Sequence, residues 1–241
     1  MNGTTSSFGE QARISGARRN ITYLLLFAIV MFFVALSSAY VVSRSSALYW
    51  VTFRIPRPFL ISTAIIVVSS VAAQLGLVAV RRGQARAATG WILVTLLLGC
   101  GFTWFQRAGW LELIGSGNYM ADKILRNTGA YGVDYTVARK GITLLQEGGS
   151  FFLPDDLQQA KPLNAEMEDY RNTSASYFYV LTVGHWLHLA GGLLVYIILA
   201  LRSLMGRYSA EEHTGIWQGT MYWHFLGALW VYLLLFLTVV H

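Results

Sequence analysis

Three histidines stand inside long apolar stretches of this 241-residue sequence, His185 and His188 in one and His224 in the next. Burying an imidazole in apolar surroundings is costly, so such residues are candidates for a ligand, proton or hydrogen-bonding role. At a spacing of three, His185 and His188 share one helical face, which suits a metal ion if further ligands approach. At about 1.5 Å per helical residue, that pair falls roughly 12 to 17 Å below the outer end of its helix, and His224 about 10 Å above the inner end of the next. The three therefore sit at different depths. No Asp or Glu lies within the apolar stretches to complete a metal shell. A pair of bis-histidine haems needs matched histidines repeated along two helices, and that pattern does not occur. The expectation is neutral imidazoles hydrogen-bonded to hydroxyls or carbonyls of adjacent helices.

Gln74 and the three histidines are read as the strongly polar groups deep in these stretches, which leaves no buried carboxylate or lysine as a proton carrier. No phosphate loop, zinc-protease signature or nucleophile elbow is present. The single cysteine, Cys100, lies in an apolar run without a partner, which excludes an internal disulfide and leaves core packing as its expected role.

The elements that position these residues follow from the distribution of charge. Only 12% of residues are charged and 55% are hydrophobic, against about 25% charged in an ordinary soluble domain. Five charge-free intervals are long enough to cross a bilayer as helices: 20–43, 58–80, 87–106, 175–201 and 217–240. They lack the alternation of barrel strands. The fold class is all-α, a polytopic transmembrane bundle of five membrane-spanning helices with one long outer loop. Residues 1–19 form a polar tail without signal-peptide organisation, and 202–216 a short connection.

Basic residues set the expected orientation. With the amino terminus inside, the inner segments hold Arg13, Arg18, Arg19, Arg81, Arg82, Arg86, Arg202 and Arg207 against Glu10, Glu211 and Glu212. The carboxy terminus then faces outward. The net charge of +6 is thus a topology signal rather than a nucleic-acid surface. Arg81, Arg82, Arg202 and Arg207 could also contact lipid head groups. The long outer loop, residues 107–174, carries six basic and nine acidic residues from position 108 onward. A segment of that length is either a small folded cap or a partner-binding element. A loosely packed cap is expected, and Phe151, Phe152 and Leu153 are apolar enough to dock on something. Glycines at 115, 117, 129, 132, 141, 148 and 149 argue against one long helix through it.

Small residues mark the expected packing seams, Ser69, Ser70, Ala72 and Ala73 on the second span and Gly184, Gly191 and Gly192 on the fourth. Tyr49, Trp50, Trp110, Tyr177, Trp217, Tyr222 and Trp223 lie near span ends, where interfacial anchors belong.

The segments SYFYVLTVGHWLHLAGGLL and RYSAEEHTGIWQGTMYWHFLGALWVYLLLF, residues 176–194 and 207–236, resemble subunit III of haem-copper cytochrome oxidases. The residues that carry the resemblance are Tyr177, Phe178, Tyr179, His185, His188, Gly191, Gly192, His213, Tyr222, Trp223, His224 and Phe225. VMFFVALSSAY, SSVAAQLGLVAVRRG and the Trp91–Trp110 stretch resemble the family more loosely. The five spans look like the short bacterial form. Two positions where many members carry a carboxylate hold Ile29 and Gly227 here, which puts any role assigned to those acids in doubt.

The resemblance implies an accessory subunit of a proton-pumping terminal oxidase in a bacterial cell membrane, with no catalytic centre, haem or copper of its own. Its partners would be subunits I and II, of which subunit I holds the metals, together with bound phospholipid. The role implied is to stabilise subunit I and support its proton and oxygen supply. The outer loop would face a further subunit or a cytochrome-containing partner. The homologous subunits of quinol oxidases and nitric oxide reductases are rival readings, and a channel or transporter is one of another class.

Overall fold

The computed structural model describes residues 3–156 and 158–241, with side chains from residue 16 onward except 18 and 157. Glu10, Arg13 and Arg18, used above for orientation, are among the side chains outside that description. Five long helices account for most of the chain: α1 Gly3–Ser46, α2 Arg57–Arg81, α3 Ala85–Gly115, α5 Thr173–Leu204 and α6 Thr214–Val240. Each is long and apolar enough to cross a membrane. The protein is a multi-pass membrane protein built on a helical framework.

Local sequence explains where these helices begin and stop. Pro58 sits in the first turn of α2, where its missing N–H costs nothing. α2 ends in a Schellman motif in which Gly83 takes a φ of 73°. Gly83 N–H donates to Val80 O and Gln84 N–H to Ala79 O, each at 3.0 Å, closing orphan carbonyls that lipid cannot satisfy. α3 and α5 finish the same way at Gly117 and Gly206. At the start of α5, Asn172 caps the helix by accepting from Ala175 N–H at 3.0 Å.

The packing divides into two compact units, and the long helices contribute residues to both. The first comprises Met1–Val34, Thr63–Phe102 and His185–Trp230. Its core is formed around Trp223, Trp230, Tyr196 and Phe102, all at most 2% exposed. The second comprises Ala35–Ser62, Thr103–Gly184 and Val231–His241.

The second unit holds the main departure from expectation. The long loop is a folded cap with its own core, and it contains β-structure. Strand β1, Tyr49–Phe53, lies in the connection between α1 and α2 and pairs antiparallel with β2, Tyr135–Arg139. β2 pairs in turn with β3, Ile142–Thr143, through a two-residue turn at Lys140 and Gly141 with φ of 49° and 83°. Strands β4, Leu145–Glu147, and β5, Ser150–Phe152, form a second hairpin turning at Gly148 and Gly149. Both turns have positive φ at two successive residues, the geometry that matches strand twist. A short helix, α4 Asn164–Met167, follows. Phe151 and Phe152 are 3% and 6% exposed, so the apolar triplet expected to dock elsewhere has its two aromatic members inside the cap. Because α3 continues to Gly115, the irregular part of the connection begins at Ser116.

Candidate functional site

The motif histidines of α5 and α6, with Tyr222 and Trp223, lie in the first unit, whereas Tyr177, Phe178 and Tyr179 belong to the second. Trp223 is fully buried, and its indole N–H donates to Ser69 Oγ at 2.9 Å. Ser69 Oγ donates to Thr95 O at 3.3 Å. The indole also fills a notch left by glycines. A Cβ on Gly99 would lie 2.7 Å from the Trp223 ring, and one on Gly192 would lie 3.3 Å from it. Gly191 is less confined, its nearest neighbour being Tyr222 Oη at 4.0 Å. Tyr222 Oη donates to the His188 carbonyl at 3.0 Å, joining α6 to α5. Ser69, Gly99 and Gly192 thus form a seam around Trp223, and Ala72 and Ala73 of α2 are buried as well.

The histidines occupy two different environments. His224 behaves as the sequence suggests: Ser70 bonds its Nδ1, and its Nε2 donates to Gln74 Oε1 at 3.1 Å. His185 does not. It is fully buried, and both ring nitrogens lack a hydrogen-bond partner. Instead it sits among aromatic rings, with Trp230, Phe102 and Phe33 centroids at 5.2, 6.0 and 6.5 Å. His188 is partly exposed and lies 5.6 Å from the Phe33 ring. Among the described residues no three His, Cys, Asp or Glu side chains come together as a metal site. His213 lies outside this seam. Its Nδ1 donates to Ala210 O at 2.7 Å, and its carbonyl accepts from Trp217 N–H at the first turn of α6.

Several expectations need correction. Cys100 is exposed rather than core, because the buried face of α3 is drawn by Ile92, Thr95, Gly99 and Phe102. It belongs to the exposed stripe of Leu93, Leu97 and Trp104. Tyr49, Trp50 and Trp223, read as interfacial anchors, are 4%, 6% and 0% exposed and are core residues. Gln106 is also a deep polar group; it is fully buried, and its Nε2 donates to Ser62 Oγ at 3.1 Å. Ile29 and Gly227 are both buried. Arg81, Arg82, Arg202 and Arg207 are exposed at the α2–α3 and α5–α6 connections.

The sequence reading passed over His241. This residue closes the second unit by bonding Tyr40 Oη through Nδ1 at 2.7 Å and accepting from Phe53 N–H through Nε2 at 3.0 Å. Burial, followed by the nearby Arg44 charge, pushes its pKa down to about 3. The signal that could have found it is a polar residue directly after an apolar span.

Elsewhere in the cap, Arg139 grips Glu166 with contacts of 2.8 and 3.1 Å and lies over the Tyr49 ring. The hydrogen bond from Arg139 holds the Glu166 carboxyl below its usual range. Burial and the Glu166 carboxylate push the Tyr49 hydroxyl up to about 12.

A family model described as Cytochrome c oxidase subunit III matches residues 156–240, the stretch that builds α5, α6 and the seam between them. The chain is 24% identical over 217 residues to the probable cytochrome c oxidase subunit 3 of Nocardia farcinica, covering 87% of this chain and 81% of that one. It is 40% identical over 63 residues to cytochrome c oxidase subunit 3 of Thermostichus vulcanus, covering 26% of this chain and 31% of that one. A Synechocystis relative of the same name is 39% identical over 77 residues, 32% of this chain and 33% of its own length. The two cyanobacterial matches therefore span about a third of those relatives. Five membrane-length helices, and motif residues collected at the α5–α6 seam, accompany this similarity, which over residues 156–240 is to cytochrome c oxidase subunit III.

Proposed function

We propose that this chain is an accessory subunit of a proton-pumping terminal oxidase, held beside a haem-copper subunit I and a subunit II in a bacterial cell membrane. The observation that carries this reading is the use made of the motif residues. Trp223, Tyr222, His224, Gly192 and Ser69 are all engaged in joining helices. A scaffold needs such joints, and a catalytic centre needs polar groups left free to react. Haem and copper would be held by the neighbouring subunits, and the chain would stabilise subunit I and support its proton and oxygen supply. The exposed arginines of the α2–α3 and α5–α6 connections, with the positive-inside rule, favour a cytoplasmic amino terminus, and they are available to lipid head groups.

The test is purification of the tagged full chain from its native membrane in mild detergent. A haem-copper subunit I should copurify at a constant ratio. Recovery of the chain without haem-containing partners would reject the reading.

The cap would serve as the contact for a further subunit or a cytochrome-containing partner. Deleting it would strip β2 from β1, so point changes are the better probe. Val133, Ile142 and Leu145 are 67%, 55% and 55% exposed. Replacing them with serine or threonine should release the partner from a supercomplex while oxidase turnover persists. Unchanged assembly would remove the idea.

A further inference from the structure

A cavity of about 690 Å³ lies where α1 and α6 end beside the β2–β3 turn, all within the second unit. Its lining includes two cations, Arg44 and Lys140, and no carboxylate side chain. Neither cation belongs to any of the ion pairs found among the described residues. Arg44 Nη1 donates to Val240 O, which anchors the guanidinium and leaves its other N–H groups available. Lys140 is exposed at the tip of the hairpin, where its positive φ of 49° fixes the direction of the side chain's departure. Ser45 and Ser46 line the cavity but use their hydroxyl protons on backbone carbonyls of α1, so the charge comes from the two cations.

The rest of the lining is apolar. Val41, Ala47, Leu48, Gly141 and Val240 complete it, and Val41 and Val42, one turn back along the membrane-spanning helix, are 45% and 62% exposed. Cationic groups at a helix end above exposed hydrocarbon match an amphiphile with a negative head. The volume is of the size that holds an organic ligand, about 300 to 1,000 Å³, and exceeds what a free phosphate ion fills. We propose that this cavity binds the phosphate-bearing head group of an anionic phospholipid, paired with Arg44 and Lys140, with an acyl chain lying along Val41 and Val42. This site differs from the arginines at the α2–α3 and α5–α6 connections and does not depend on the oxidase reading.

The test uses the full chain in nanodiscs made from phosphatidylcholine and phosphatidylglycerol, with retained lipid read by native mass spectrometry after release into detergent. The variant is Lys140→Asn, because asparagine tolerates positive φ and keeps the turn. Lys161→Asn, an exposed cap lysine outside the cavity lining, serves as the charge control. The wild-type chain should retain phosphatidylglycerol over phosphatidylcholine, and Lys140→Asn should lower that retention by about fivefold, the effect of one basic group at a membrane surface. Lys161→Asn should not. An unchanged melting temperature for Lys140→Asn confirms that the hairpin survives. Equal retention of the two lipids, no effect of Lys140→Asn, or an equal effect of Lys161→Asn would overturn the proposal. Displacement of the lipid by excess inorganic phosphate would also overturn it, by showing that the site takes a free anion.

Discussion

The main-chain N–H of Phe53 donates to Nε2 of His241 at 3.0 Å across 188 residues of sequence. A backbone amide can only donate, so Nε2 carries no proton, and the neutral ring presents Nδ1–H to Tyr40 Oη. One imidazole therefore ties a strand edge to a membrane-spanning helix. His241→Ala leaves the buried Phe53 N–H unpaired, and a loss of about 1 to 3 kcal/mol is expected. Thermal unfolding in detergent, followed by circular dichroism, reads it. A melting temperature equal to wild type would show that the tie is not structural.

The same tie gives a pH dependence of definite sign. The folded pKa of His241 is about 3, below the ordinary 6.5 of the free side chain. The unfolded chain therefore takes up the proton first, so the contribution is complete above pH 6.5 and falls as the pH drops from there toward 3. The slope from this one group reaches at most about 1.4 kcal/mol per pH unit. Stability measured through that window should decline less steeply in His241→Gln than in wild type. Parallel curves would count against the protonation account.

Gly99 and Gly90 lie nine residues apart on α3 and should respond oppositely to alanine. A Cβ on Gly99 would meet the Trp223 ring and Leu193 at 2.7 Å, whereas one on Gly90 meets nothing within 4 Å. Gly99→Ala should destabilise by about 1 to 3 kcal/mol through overpacking. Gly90→Ala should be neutral or gain up to about 1 kcal/mol from helix propensity. Comparison of the two melting temperatures decides it, and a tolerated Gly99→Ala would show that Trp223 is free to shift.

Removing Ser69 Oγ leaves the buried Trp223 N–H without its acceptor. Ser69→Ala should cost about 1 kcal/mol, within the range measured for side-chain hydrogen bonds inside membranes. The double change with Trp223→Phe should cost less than the sum of the singles, because both remove the same bond. Strict additivity would mean the bond contributes nothing.

In the cap, Glu166→Gln removes the carboxylate that Arg139 grips. The Glu166 pKa is lowered, so its contribution is present above the unfolded carboxyl's range and disappears as pH falls through the folded value. The pair is solvent-accessible and the effect should be modest. Amide exchange in β2 should quicken in Glu166→Gln at neutral pH and match wild type in acid. Identical exchange at neutral pH would exclude the pair as a brace.

The five long helices were legible because lipid enforces a simple rule: a spanning segment carries no charge over about 20 residues. Small residues such as Ser69 and Gly192 marked where helices could approach, but the hydrogen bonds that Ser69 makes there were not foreseen. The cap was not. Its strands are two to five residues long, and β1 finds its partner more than 80 residues away, so no local period announces the pairing. The fates of Cys100 and Trp223 depended on which helical face turned inward. An almost uniformly apolar helix does not declare that, since apolar residues suit both lipid and core. His185 needed a neighbourhood of rings drawn from three other helices before its lack of polar partners could be seen.

The pairing of β1 with β2, closed on one side by His241, also bears on how this protein is made. β1 leaves the ribosome between the first two spans, but β2 follows only after α3, and His241 only after α6. The strand stays an unpaired ribbon until two further helices have been made, and its bond to His241 waits for two more. A chaperone or the insertion machinery would have to shield that edge meanwhile, and a stalled chain would expose it.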